Sequence, residues 1–156
     1  TDRLVRLLAT PAPGVPSPGE VSLPRFAFPR AAQVAEAGRT RLASIGLTRA
    51  KSATLHAAAT AVATGRVDFA LLRTLPPADV DRVLCDIPGI GPWTAAYLRL
   101  RGLGDRDAFP ATDLGVIKAL AARGVRAKHI ARHAERWRPW RAYATLHLWH
   151  SLVPPS

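Results

Sequence analysis

The chain has 156 residues, 48% of them hydrophobic, and its 22 lysines and arginines outnumber its 11 aspartates and glutamates, giving a net charge of +11. This length suits one globular domain, no apolar run approaches the roughly 20 residues that span a bilayer, and one cysteine excludes both an internal disulfide and a thiolate-ligated iron–sulfur cluster. We therefore expect a soluble, intracellular protein. The positive charge favours a polyanionic partner such as nucleic acid, although basic residues also occupy ordinary solvated surfaces.

The predicted elements are helical throughout. Residues 1–9 have an amphipathic helical pattern, whereas residues 10–29 contain six prolines and two glycines, which predicts an extended connector. The remaining predicted helices are 30–37, 39–45, 48–64, 69–75, 77–85, 92–101, 113–123, 127–136 and 139–152. Helix breaks are predicted at Gly38, Gly46, Gly65, Pro76, Pro88 and Gly124. Because no stretch alternates apolar and polar residues as a strand does, the predicted fold is all-α, in one domain of residues 1–156.

A glycine-rich turn precedes the predicted helix 92–101. It has the sequence Ile-Pro-Gly-Ile-Gly-Pro over residues 87–92, where Gly89 and Gly91 allow a tight turn and Pro92 suits the first turn of a helix. The unshielded backbone N–H groups, together with the positive end of the helix dipole, predict a phosphate-binding site that ignores base sequence. An ordinary glycine-capped connection between two helices would have the same pattern. The sequence contains no GxxxxGK[ST], HExxH or GxSxG pattern, which disfavours nucleotide hydrolases, zinc proteases and serine hydrolases.

Three segments in the second half of the chain carry a family resemblance. They are IPGIGPWTAAY, LRGLGDRDAFPATDLG and ERWRPWRAYATLHLW, in this order, and they resemble the helix-hairpin-helix DNA glycosylase superfamily, in particular its bacterial 3-methyladenine DNA glycosylase II branch. The resemblance runs from about Phe28 onward and is strongest from Leu84 to Trp149. It implies a helix-hairpin-helix helical bundle without the family's N-terminal β-rich region and duplex-wedging residue. The sequence is accordingly expected to be a fragment, a divergent gene product or the tail of a fusion to a regulatory or alkyl-transfer domain.

By this resemblance, Asp113 is the catalytic carboxylate. A helix N-terminus favours the ionised form of an aspartate, and that charge can stabilise an oxocarbenium-like sugar cation while the base departs. Capping of the helix that starts near residue 113 is the alternative role for this aspartate. Asp105 and Asp107, in the preceding loop, are expected to satisfy turn hydrogen bonds.

Aromatic residues are predicted to form the base pocket. Trp93 and Tyr97 are four residues apart and share one face of a helix, and the resemblance places Trp149 on the opposite wall. An alkylated base that carries positive charge would be attracted to these ring faces after it is flipped out of the duplex. Aromatic residues at helical spacing also commonly form a core. Trp137 and Trp140 flank Pro139 at a predicted helix boundary, where large rings commonly pack, so a structural role is expected for both.

The residue at position 93 also bears on the reaction type. Bifunctional relatives carry a lysine nucleophile there, whereas this chain has tryptophan, and its only lysines are Lys51, Lys118 and Lys128. Covalent lysine catalysis therefore has no candidate in the hairpin, and water is the expected nucleophile. The resemblance thus implies a monofunctional enzyme that leaves an abasic site.

The remaining site predictions concern DNA and ions. The DNA backbone is expected to contact Gly89, Ile90, Gly91, Trp93 and Thr94. No cofactor is expected to be required, although the resemblance implies a monovalent cation, Na⁺ or K⁺, held by the backbone carbonyls of Cys85, Ile87 and Ile90. His129 and His133 are spaced as metal ligands, but no third ligand accompanies them, so we interpret them as a surface pair.

These observations predict a monofunctional DNA glycosylase that hydrolyses the N-glycosidic bond of alkylated purines of the 3-methyladenine type by base flipping and aspartate-assisted attack of water. The expected partner is double-stranded DNA with alkylated bases, and the expected form is a cytoplasmic, nucleoid-associated monomer. The alternative is a non-catalytic helix-hairpin-helix module that binds DNA in a repair or regulatory assembly. A helical protein-interaction domain is a third interpretation, and it would show no salt-dependent affinity for DNA.

Overall fold

The computed structural model describes residues 2–8 and 27–153. Every regular element in these two ranges is helical, which confirms the predicted all-α class. The α-helices are α1 (Asp2–Leu8), α2 (Ala31–Ala43), α3 (Arg49–Ala63), α4 (Phe69–Leu72), α5 (Pro77–Cys85), α6 (Pro92–Leu98), α7 (Leu114–Ala121), α8 (Ile130–Ala134) and α9 (Arg141–His150). Most of the connector predicted at 10–29 lies outside the described residues. None of the helices in the described ranges has both the length and the apolar character to cross a membrane.

Helix boundaries follow the signals in the sequence. Thr48 caps α3 by accepting a hydrogen bond from the Lys51 backbone N–H at 3.2 Å, which satisfies one of the free donors at a helix start. The predicted break at Gly38 is a kink inside α2, where the glycine has a φ of 69° that other residues rarely adopt. The predicted stops at Gly46, Gly65 and Gly124 also have positive φ and lie outside the helices.

Two predicted helices are less regular than their hydrophobic pattern indicates. The predicted helix 127–136 is divided into a 3₁₀ turn (Ala127–His129), α8 and a second 3₁₀ turn (Glu135–Trp137). The predicted helix 92–101 continues beyond α6 as a π-helical turn, Arg99–Leu103. The backbone N–H groups of Gly104 and Asp105 both donate to the carbonyl oxygen of Arg99. A φ of 72° at Gly104 then turns the chain out of the helix. Hydrogen bonding at the helix end therefore sets this geometry.

The chain divides into two compact units, each with its own core. The first comprises Thr1–Asp68 with Ile87–Gly89, and the second comprises Phe69–Asp86 with Ile90–Ser156. In the described part of the first unit, α1, α2 and α3 bury a cluster formed by Leu4, Val34, Leu42 and Ala59.

The core of the second unit joins three helices. Its buried residues are Val116, Ala119 and Leu120 on α7, Ile130 on α8 and Leu148 on α9. Trp137 and Trp149 pack against this cluster. Trp140 is different, because it is half exposed and lies under the guanidinium of Arg106.

We predict that Leu120→Ala lowers the free energy of unfolding by about 2–5 kcal/mol, because Leu120 is 1% exposed and its removal leaves a cavity between α7 and its neighbours. The matched control is Leu114→Ala on the same helix, where the side chain is 81% exposed, and its effect should stay within about 0.5 kcal/mol. Urea unfolding followed by tryptophan fluorescence measures both values. Equal losses in the two variants would contradict the assignment of Leu120 to the core.

Candidate active site

Asp113 is the N-cap of α7, so its carboxylate is fixed by the start of that helix. The backbone is extended at Asp113, and Oδ1 accepts a hydrogen bond from the backbone N–H of Val116 at 2.9 Å. The residue is 9% exposed. The side chain of Asp113 therefore caps the helix, which is the alternative role that the sequence allows for this residue. Capping uses one oxygen of the carboxylate, so it leaves other roles open to the group.

Two tryptophans donate to the same carboxylate from two other helices. The Trp149 indole N–H, on α9, donates to Oδ1 at 2.7 Å, and the Trp93 indole N–H, on α6, donates to Oδ2 at 2.9 Å. Both distances lie in the normal range of N–H···O hydrogen bonds. Asp113, Trp93 and Trp149, which the sequence predicts as site residues, are therefore brought together within the second unit. The spacing of the aromatic residues did not indicate that the two indole N–H groups would donate hydrogen bonds to the carboxylate.

These hydrogen bonds also determine the charge state of Asp113. Burial disfavours the charged carboxylate and has the largest single effect, but it is outweighed by the donors Trp149, Val116, Trp93 and the backbone of Gly115. The pKa of Asp113 consequently lies below its ordinary value. At neutral pH the group is an anion beside an aromatic cluster.

The aromatic residues predicted to form a base pocket form a continuous set. Trp93 stacks on Tyr97 with 5.6 Å between the ring centroids, and Tyr97 lies 5.9 Å from Trp149 in a tilted arrangement. Trp93 and Tyr97 are 43% and 37% exposed, so neither is a buried core residue. Exposed aromatic surface beside a carboxylate is suited to contact with a flat, positively charged ring.

A buried arginine holds the elements around the site. Arg99, at the end of α6, donates to Asp81 on α5 at 2.8 Å and to Asp105 in the following loop at 3.0 Å. The Arg99 side chain is 11% exposed, so its guanidinium is largely shielded from solvent, whereas its partner Asp81 is 41% exposed. Asp105 also accepts the backbone N–H of Asp107, the turn hydrogen bond expected from the sequence. The two ion pairs were not anticipated, because the pairing of an arginine depends on which helices pack together.

Asp107 joins the same loop to the start of α9. Its carboxylate accepts two hydrogen bonds from Arg141, at 2.7 and 2.8 Å, and it also pairs with Arg138. Burial alone would raise the pKa of Asp107. The hydrogen bonds and positive charges of Arg141 and Arg138 together lower the pKa by more than burial raises it, so the net shift is downward. The backbone N–H of Ala142 adds a hydrogen bond of 2.9 Å to the carbonyl of Arg106. The start of the helix that carries Trp149 is thereby fixed to the loop that leads to Asp113.

The two hairpin glycines differ in the reason for being glycine. Gly89 has a φ of 88°, and a Cβ at this position would overlap the side chain of Thr54. Packing therefore requires a residue without a side chain at position 89. Gly91 is the N-cap of α6, with a φ of −101°, and a Cβ added there would have no atom within 4 Å. Its backbone would accept other residues, so packing does not explain the choice of glycine at 91.

The described residues contain no group of three His, Cys, Asp or Glu side chains that could hold a metal ion. His133 contacts the guanidinium of Arg136, and burial together with that positive charge lowers the pKa of His133. A neighbouring cation also disfavours metal binding at this pair. This geometry agrees with the interpretation of His129 and His133 as a surface pair.

Comparison with known proteins finds similar sequences and structures, although no family model matches the chain. It is 34% identical over 127 residues to DNA-3-methyladenine glycosylase 2 of Escherichia coli, covering 80% of this chain and 43% of that protein. Over 74 residues it is 54% identical to the "Probable bifunctional transcriptional activator/DNA repair enzyme AlkA" of Mycobacterium tuberculosis, covering 46% of this chain and 15% of that protein. A solved DNA-3-methyladenine glycosidase from Bacillus halodurans superposes with a TM-score of 0.68 at 27% identity, over 80% of this chain and 60% of the other.

The helical fold of the described residues is that of the helix-hairpin-helix DNA glycosylases. In sequence the chain is similar to that superfamily, and within it to the branch of 3-methyladenine DNA glycosylase II. It spans less than half the length of the curated relatives named above.

We predict that Trp149→Phe raises the pKa of Asp113, because the variant keeps an aromatic ring and loses the indole donor to Oδ1. Carboxyl ¹³C NMR titration measures the shift, and Trp140→Phe, which alters a half-exposed tryptophan outside the site, is the control.

The depressed pKa means that ionised Asp113 stabilises the fold above its unfolded-state pKa, and that this contribution is lost as the pH falls through the folded-state pKa. Trp149→Phe should therefore lose less stability on acidification. An unchanged Asp113 pKa in Trp149→Phe would contradict the role given to the indole.

Proposed function

We propose that this chain carries the catalytic site of a monofunctional DNA glycosylase that hydrolyses the N-glycosidic bond of alkylated purines. The single observation that carries the proposal is the anionic carboxylate of Asp113, held by two indole N–H groups beside an exposed aromatic surface. The names of the Escherichia coli and Bacillus halodurans relatives support 3-methyladenine as the type of substrate.

The proposed role of Asp113 is electrostatic. As the bond between the base and C1′ of the sugar breaks, its electron pair leaves with the base and positive charge develops on the sugar, which a nearby fixed anion stabilises. Water then adds to C1′ and releases a proton to solvent. A carboxylate with a lowered pKa is a weak base, because efficient proton abstraction needs a pKa close to the working pH. Charge stabilisation therefore accounts for the site better than proton abstraction does.

The oxygen proposed to face the sugar is Oδ2. Oδ1 accepts from Trp149 and Val116, whereas among the contacts of the described residues Oδ2 accepts one hydrogen bond, from Trp93. An ionised carboxylate oxygen has more than one acceptor direction, so Oδ2 retains capacity for water or for the developing sugar cation.

The aromatic set is proposed to receive the flipped base. Trp93, Tyr97 and Trp149 offer ring faces, and a base alkylated on a ring nitrogen is cationic, which gives a cation–π attraction of roughly 0.5–2 kcal/mol over a neutral base. By the family resemblance, Trp93 stands where bifunctional relatives carry a lysine, and its indole N–H donates to Asp113. This role for Trp93 supports water as the nucleophile.

The hairpin is proposed to anchor duplex DNA. Its contacts would be the backbone N–H groups around Gly89, Ile90 and Gly91 with Trp93 and Thr94 at the start of α6, which bind phosphate without reading the base. The monovalent cation proposed for the carbonyls of Cys85, Ile87 and Ile90 would add positive charge at the same turn. A chain with a net charge of +11 supports such contacts.

We predict that Asp113→Asn reduces base release by at least about 100-fold, because it removes the anion that stabilises the sugar cation, while duplex affinity is kept. The measurement is single-turnover release of bases from methylated duplex DNA, with alkali-labile sites scored in parallel. Asp79→Asn, which alters a surface acid paired with Arg82, is the matched control and should retain activity. Wild-type activity in Asp113→Asn would refute the catalytic assignment, and salt-sensitive DNA binding without base release by the wild type would support a non-catalytic module.

We predict that Gly91→Val weakens binding to duplex DNA of any sequence by roughly tenfold, the equivalent of about 1.4 kcal/mol, because a branched side chain shields the N–H groups of the turn. Position 91 is the informative one, since the backbone there tolerates a side chain, whereas substitution of Gly89 would also disturb packing against Thr54. Gly102→Val, at another glycine with open space around it, controls for the added side chain. Fluorescence anisotropy at several salt concentrations measures the affinity, and equal affinities for Gly91→Val and wild type would exclude the turn as the contact.

A further inference from the structure

Gly115 lies in the first turn of α7, two residues after Asp113. Its φ is outside the positive range, so its backbone conformation does not require glycine. A Cβ at this position would lie 2.9 Å from Cδ1 and 3.2 Å from Nε1 of Trp149, and 3.0 Å from Oδ1 of Asp113. Non-bonded carbon atoms normally approach to about 3.5–4.0 Å. The missing side chain therefore leaves the space that the Trp149 indole occupies.

The geometry also determines what would move if that space were filled. The first turn of α7 is held by the hydrogen bond from the Val116 N–H to Asp113, so Gly115 is fixed close to the carboxylate. Trp149 packs against two clusters of buried residues and contacts Tyr97. An added methyl group would press on the five-membered ring of Trp149, the edge that carries its N–H. Displacement of this rigid ring would lengthen the 2.7 Å hydrogen bond to Oδ1.

Glycine is also a poorer helix former than alanine, so helix formation alone would favour alanine at this position. The presence of glycine at position 115 is therefore explained by a contact outside the helix and not by helix formation. We propose that Gly115 is a positioning residue, whose missing side chain lets Trp149 lie against Asp113 and donate its indole N–H to the carboxylate. It acts through Trp149 and makes no contact with the base. The catalytic consequence rests on the proposed function, whereas the contact between Trp149 and Asp113 does not.

The test is Gly115→Ala in the full chain, with Gly102→Ala as the matched control, because a Cβ at Gly102 meets no atom within 4 Å and its φ is not positive. We expect Gly115→Ala to raise the pKa of Asp113 in a carboxyl ¹³C NMR titration and to shift the Trp149 indole ¹⁵N–H resonance away from its hydrogen-bonded position. Single-turnover base release should fall by about tenfold, with duplex affinity unchanged. Gly102→Ala should leave all four readouts as in the wild type.

A second comparison separates this role from general loss of packing. In the background Trp149→Phe the indole edge is gone, so adding Gly115→Ala should leave the pKa of Asp113 unchanged, and a double-mutant cycle on that pKa should show strong coupling between the two positions. The pKa and indole readouts need no DNA, so they decide the proposal even if the chain releases no base. A wild-type Asp113 pKa and indole resonance in Gly115→Ala would overturn it, as would equal effects of the substitution with and without the indole.

Discussion

The hydrogen bonding of one carboxylate organises the second unit. Asp113 starts α7, and its two oxygens accept indole N–H groups from α6 and α9, so three helices meet at a single side chain. An ionised acceptor in a partly buried position must be satisfied, because an unpaired charge there costs several kcal/mol. Each donor therefore stabilises both the charge and the packing of its helix. The position of the aromatic rings follows from the need to satisfy this group.

A second set of charges fixes the other ends of the same elements. Arg99 ties the end of α6 to α5 and to the loop at Asp105, and Asp107 ties that loop to the start of α9. Both arginine side chains are largely shielded, 11% exposed at Arg99 and 15% at Arg141, and removing one partner of such a pair is more costly than breaking a surface ion pair. With both ends fixed, the helices have little freedom to move Trp93 or Trp149 away from Asp113. The rigidity suits a site in which a fixed charge is meant to act on a reacting bond.

The sequence was informative where local chemistry determines the structure. The all-α class, the start of α3 next to Thr48, the interruption at Gly38 and the start of α7 next to Asp113 follow from capping and glycine signals that act within a few residues. The indole hydrogen bonds to Asp113 could not be predicted, because they join residues 20 and 36 positions apart. Nor could Arg99 be distinguished from the other arginines, or Gly115 from a glycine without function. These roles depend on tertiary packing, which hydrophobic periodicity does not encode.

The division into two units has a spectroscopic consequence. All four tryptophans, Trp93, Trp137, Trp140 and Trp149, belong to the second unit, while the described helices α1, α2 and α3 belong to the first. Intrinsic tryptophan emission therefore reports on one unit, whereas the far-ultraviolet circular dichroism of the helices reports on both. Coincident transitions by the two probes would mean that the units unfold as one cooperative system, and separate transitions would give each unit its own stability. The protein thus contains, without any label, the means to measure how strongly its two halves depend on each other.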